Sequence, residues 1–178
     1  MRCIGNFARL QGGTSDGLNT HQAPYYEFGF ERALVGTNNP EICDPFARNC
    51  EWGTVTNDLD PNTLATSHID ALEFLQGQPN AFFDLVLFDP PFSQIQAERY
   101  EIGHKNIYTL HEYVPRCFDE IFRILKPGGK VLSLGYNSTR RSKNLSLIEC
   151  YIVNFGGNRN DVIMTIWGKN SMTLEDFV

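Results

Sequence analysis

The stretch FDLVLFDPPFSQ, Phe83 to Gln94, decides how this chain folds. FDLVLF is apolar enough to form a strand buried on both faces, as central strands of parallel sheets are. It ends on Asp89, followed by Pro90, Pro91 and Phe92. The two prolines fix φ and remove two N–H donors, so the loop presents only acceptors at that point. In open α/β sheets the carboxyl ends of strands form the ligand edge, which is where this aspartate falls.

Working outward, the flanking sequence supports such a sheet. Upstream, EICDPF (Glu41 to Phe46) and GTVTND (Thr54 to Asp58) read as strands, and SHIDA reads as a short third strand leading into the helical ALEFLQG. Before them, APYYEFGFERALV predicts a helix from Tyr25 to Val35, stopped by the turn residues GTNNP. Downstream, Val114, Cys117, Phe118, Ile121, Phe122 and Leu125 recur at helical spacing, with Pro115 near the helix start or marking a kink. KPGG ends that helix, KVLSLGY is a further strand, and LIECYIVNFGGNRNDVIMTIWGK reads as an antiparallel hairpin. The expected fold is α/β: a mostly parallel, seven-stranded sheet closed by an antiparallel hairpin.

Each of the first four expected strands ends in an acid: Asp44, Asp58, Asp70 and Asp89. Aspartate is common in turns, so any one of these is unremarkable. Four along one edge suit a ligand with hydrogen-bond donors, such as ribose hydroxyls, an amine or an exocyclic amino group.

In this order DPF, two acids and DPPF, the chain resembles class I S-adenosylmethionine-dependent methyltransferases, Rossmann-like in fold. The branch it resembles methylates amino groups, N6 of adenine or N4 of cytosine. The likeness spans roughly residues 40–168, and small bacteriophage members share the layout. The resemblance implies S-adenosylmethionine as cofactor. Asp44 and Pro45 would lie beside its methionine moiety, with Phe46 lining the pocket, Asp58 on the ribose hydroxyls and Asp70 facing the adenine amino group. Asp89 and the Pro90 carbonyl would accept hydrogen bonds from the target amine, and Phe92 would stack on the target base. An aromatic amine is a poor nucleophile because its lone pair is delocalised into the ring. Two acceptors holding its hydrogens localise that pair, and transfer then depends on alignment and electrostatics. A base in duplex would have to be flipped out.

The first loop departs from the family pattern DPFxGxG. It reads DPFARNC, with Arg48 and Cys50 at the glycine positions, which predicts weakened cofactor binding or another loop course. The crossovers among the first three strands are also short. Residues 47–53 and 59–66 leave little room for the helix of a parallel crossover. Residues 1–40, or a second subunit in a homodimer, are expected to cover the bare sheet face.

The 178 residues suit one domain, 1–178, with residues 1–40 as an N-terminal extension. There is no space for a separate target-recognition domain. Ser93 and the basic run Arg140, Arg141 and Lys143 fall in the loops expected at the ligand edge, where they would meet nucleic acid. That patch would partly offset, locally, the acidity of a chain with net charge −6. The five cysteines are scattered singly, which predicts reduced thiols in a cytoplasmic protein. The histidines show no metal-ligand spacing, so no metal is expected. No apolar run approaches the roughly 18–20 residues of a membrane span. DNA adenine N6 is the leading reading. N4-cytosine or RNA base methylation, and a catalytically silent fold member kept for binding, are the alternatives.

Overall fold

The computed structural model describes residues 10–11, 24–91, 112–136, 142–154 and 161–170. Its strands are β1 (Leu10–Gln11), β2 (Ile42–Asp44), β3 (Val55–Thr56), β4 (Phe83–Phe88), β5 (Leu125–Gly135), β6 (Leu145–Asn154) and β7 (Val162–Lys169). The helices among the described residues are α1 (Pro24–Leu34), α2 (Ala71–Gln76) and α3 (Tyr113–Ile124). One sheet has the order β1-β6-β7-β5-β4-β2-β3. Its pairings are parallel except those of β7, which is antiparallel to both β5 and β6.

Six of the expected strands form, though β2 and β3 are shorter than the sequence suggests. SHIDA does not form a strand. Ser67 makes only an isolated bridge to Asn57. The preceding residues form aspartate turns instead: the Asp58 carboxylate accepts the Asp60 N–H at 2.9 Å, and Asp60 accepts the Asn62 N–H at 2.9 Å. Such local bonds compete with a ladder. The two-residue β1 lies at the far edge, in a stretch where no strand is expected.

β4 is buried on both faces because both are covered. Phe83, Val86 and Phe88 pack with α2 and α3, through Leu72, Leu75, Cys117, Phe118 and Ile121. Leu85 and Leu87 face the other way, into a cluster with Tyr25, Tyr26 and Ala33 of α1 and with Leu132, Met164 and Ile166. No helix lies between β2 and β3, and α1, which precedes both, covers this side. Trp52 of the β2–β3 loop stacks on Tyr26 (centroids 5.5 Å apart, planes at 12°) and packs against Phe30 at 4.4 Å. Aromatic packing thus fills space that a crossover helix would occupy. The approach is close: a Cβ on Gly29 would collide with the Met164 sulfur and stand 3.1 Å from Leu132 Cδ1.

The helix ends are tied down by cations reaching from other elements. Lys130 Nζ donates to Ala33 O of α1 at 2.7 Å. The Arg123 guanidinium donates to Leu75 O, Gln76 O and Gln78 O around the end of α2. Lys169 Nζ donates to Phe122 O and Leu125 O at the end of α3. Each satisfies carbonyls left open by the last helical turn, at its partly negative end. Pro115 sits in the first turn of α3, where its missing N–H would have had no partner within the helix. α3 stops at Ile124, and KPGG bulges out of β5: Leu125 pairs with Phe83, but Leu85 pairs with Lys130. Gly128, at φ +81°, takes the left-handed turn.

Candidate functional site

The parallel register puts the ends of β2, β3 and β4 on one edge. Asp44 pairs with Thr56, and Cys43 lies between Val55 and Val86. Asp44 is the last residue of β2 and is 4% exposed. Its Oδ1 accepts the Phe46 N–H at 3.1 Å. Burial pushes its carboxyl up to about 8; the Phe46 bond pulls the other way, and the charges of Asp89 and Asp58 push it further. Asp89 and Asp58 thus lie close enough to Asp44 for their charges to act on it. Phe46 packs edge-on to Phe88 at 5.4 Å, which fixes the loop against the carboxyl end of β4.

Asp58 follows β3. Its Oδ2 accepts the Arg48 N–H at 3.0 Å and its Oδ1 the Asp60 N–H. Arg48 has φ +48°. It adopts the left-handed conformation that glycine takes without cost, so the side chain at this glycine position does not prevent the bend. Cys50 is buried, and its N–H donates to Ala47 O at 2.7 Å. Burial raises its thiol to about 12.

Asp70 follows no strand. It is the N-cap of α2, its Oδ1 accepting the N–H groups of Leu72 and Glu73, while Tyr113 Oη donates to Oδ2 at 3.1 Å. Capping explains why aspartate sits there, and it leaves limited acceptor capacity for a ligand. Asp89 is partly buried, Pro90 is buried and Pro91 partly so. Phe92, Ser93, Arg140 and Arg141 lie outside the described residues.

Lys143 is a correction. Leu145, two residues on, pairs with Lys169, whose ammonium binds carbonyls at the end of α3. β6 runs parallel to β5, so its start lies at the amino edge, opposite Asp89. Lys143 is exposed there, a strand length from the acids. The error came from assuming that residues 136–145 stay at the ligand edge.

The structure adds residues that sequence reasoning missed. Tyr25 and Tyr26 are buried at the start of α1, and burial followed by nearby acids raises both phenols: Asp89 for Tyr25, Asp44 and Asp89 for Tyr26. The aromatic patch is visible in the sequence, but nothing there brings it to this edge. Asn57, fully buried, is the other omission.

Among the described residues, no group of His, Cys, Asp and Glu could hold a metal ion, and no helix is long and apolar enough to cross a membrane. The described cysteines, Cys43, Cys50, Cys117 and Cys150, are unbridged.

No family model and no curated protein sequence matches the chain. Solved structures do. The fold is similar to yhhF from Escherichia coli, described as a methyltransferase, with a TM-score of 0.56 and 15% identity over 97% of this chain and 99% of that one. TrmN from Thermus thermophilus gives a TM-score of 0.61 at 16% identity, over 83% of this chain and 49% of that one. A methyltransferase homologue from Pyrococcus horikoshii gives 0.52 at 13%, over 88% of this chain and 73% of that one. At these identities the likeness defines the fold: the mixed α/β, Rossmann-like sheet of the methyltransferases.

Proposed function

We propose that the chain is an S-adenosylmethionine-dependent methyltransferase, its 178 residues one domain, acting on adenine N6 in DNA. The observation that carries this reading is that Asp44, Asp58 and Asp89 follow β2, β3 and β4 at one sheet edge, beside the proline loop of β4, on a methyltransferase-type sheet.

The residues fit the cofactor chemically. Among the described residues no cation pairs with the buried Asp44 carboxyl, which burial raises to about 8, and a sulfonium nucleoside bearing an ammonium group would supply positive charge. Asp58, held by two backbone N–H groups, keeps lone pairs for a ribose diol. Asp70 and Pro45 complete the proposed cofactor edge. When bound, the cofactor would supply an electrophilic sulfonium methyl group, with the neutral thioether as leaving group and one proton lost from the methylated amine.

The chain's own part is positioning. Asp89 and the Pro90 carbonyl accept the hydrogens of the target amine and hold its nitrogen toward the methyl. Pro90 and Pro91 offer no N–H that could compete. Phe92 stacks on the base, and Ser93, Arg140 and Arg141 meet the nucleic acid. Tyr25 and Tyr26 exclude water from the acids. The same arrangement would serve cytosine N4 or an RNA base, and the substrate in the assay decides between them.

Calorimetric titration with S-adenosylmethionine tests the cofactor half of the reading. Saturable binding that weakens about tenfold or more on Asp58→Ala is expected. A flat wild-type titration would favour a silent fold member.

A further inference from the structure

Asn57 sits fully buried between the loops that carry the proposed cofactor acids. Its Nδ2 donates to Pro45 O at 3.2 Å and to Ile69 O at 3.0 Å, and its Oδ1 accepts the Ile69 N–H at 3.1 Å. Its backbone N–H donates to Asp44 O, and its carbonyl accepts the Ala47 N–H, both at 2.8 Å. Pro45 is the neighbour of Asp44, Ile69 the neighbour of Asp70, and Asn57 itself the neighbour of Asp58. One side chain thus bonds to a residue adjoining each of the other two acids.

We propose that Asn57 is a positioning residue for the cofactor: a buried amide brace that sets the spacing of Asp44, Asp58 and Asp70. The inference rests on the proposed cofactor reading. The physical need for a brace follows from the short connections. With no helix between β2 and β3, and only an isolated bridge at Ser67, helix–strand packing does not fix these loops. An amide can, because it donates to two carbonyls while accepting one N–H, a pattern that neither a hydroxyl nor a carboxylate reproduces. Truncating it leaves Pro45 O, Ile69 O and Ile69 N without those bonds, so the loops shift to find partners.

The test uses the full chain. Asn57→Ala removes the brace; Asn57→Asp keeps the acceptor for Ile69 N–H and removes both donors, and serves if the alanine variant does not fold. Each is titrated with S-adenosylmethionine at a temperature where circular dichroism reports it folded. Hydrogen exchange is followed in peptides covering residues 44–50 and 67–72. The expected result is cofactor binding about tenfold weaker or worse, faster exchange confined to those peptides, and unchanged protection in β4 and β5. In a methyl-transfer assay, KM for the cofactor should rise while kcat at saturation changes little. A merely structural role would instead lower the active fraction at unchanged KM. Wild-type affinity in a folded variant, or exchange that rises uniformly, overturns the inference. A wild-type chain that binds no cofactor overturns the functional reading itself, on the wild-type titration alone, and takes the inference with it.

Discussion

The backbone N–H of Arg48 meets the Asp58 carboxylate at 3.0 Å, and Arg48 makes this contact from φ +48°. The bond joins the loop after β2 to the residue after β3. A non-glycine residue in this conformation costs of order 1–3 kcal/mol. Arg48→Gly should therefore leave stability unchanged or raise it by up to about 1 kcal/mol, part of the relief being offset by glycine's unfolded-state entropy. Arg48→Val, β-branched, should destabilise by roughly 1–2 kcal/mol. Urea unfolding checks the ranking; a valine variant as stable as wild type would contradict it.

Asp44 makes stability depend on pH. Its folded carboxyl titrates near 8 against an ordinary value of 3.8, so between those values the folded state binds the extra proton. Its contribution is fully present below the unfolded value and is lost as pH rises through the folded one. Wild-type stability should fall between pH 5.5 and 8 with a slope approaching about 1.4 kcal/mol per pH unit. Asp44→Asn should flatten that slope, and melting temperatures across the range would show it. A slope unchanged by the substitution would mean that the carboxyl is already ionised.

The Arg123 guanidinium gathers carbonyls from Leu75, Gln76 and Gln78 and also pairs with Glu120. Arg123→Ala should destabilise by about 2 kcal/mol. Arg123→Lys should recover only part, because an ammonium cannot reproduce the planar fork. Full recovery by lysine in chemical denaturation would show that charge alone matters.

Gly29 lets α1 approach the sheet. Gly29→Val should destabilise by about 1–3 kcal/mol through overpacking against Met164 and Leu132. It should also loosen Tyr25 and Tyr26, raising their access to solvent in tyrosine fluorescence quenching. Unaltered stability and quenching would mean that the Met164 side chain absorbs the added volume.

The central strand was legible because FDLVLF is apolar at every position but Asp84, a signature of burial on both faces. The α1 span was legible for a similar reason, with aromatic residues running up to a GTNNP turn. SHIDA misled because its aspartate belongs to the N-cap of α2, and alternation over so few residues does not separate a strand from a helix entry. Lys143 misled because nothing in the sequence shows that β6, which follows it, starts at the amino edge. Asn57 was passed over beside Asp58: a buried amide brace is recognisable only once the carbonyls of Pro45 and Ile69 are known to converge on it.

The proposed activity is methyl transfer to a base amine at the Asp89 loop. Nucleoside mass spectrometry of DNA, incubated with the chain and S-adenosylmethionine carrying an isotopic methyl label, tests it most directly. Labelled N6-methyldeoxyadenosine is expected, abolished by Asp89→Ala while cofactor binding persists. Cofactor binding with no labelled base in DNA or RNA, or labelling that survives Asp89→Ala, would contradict it.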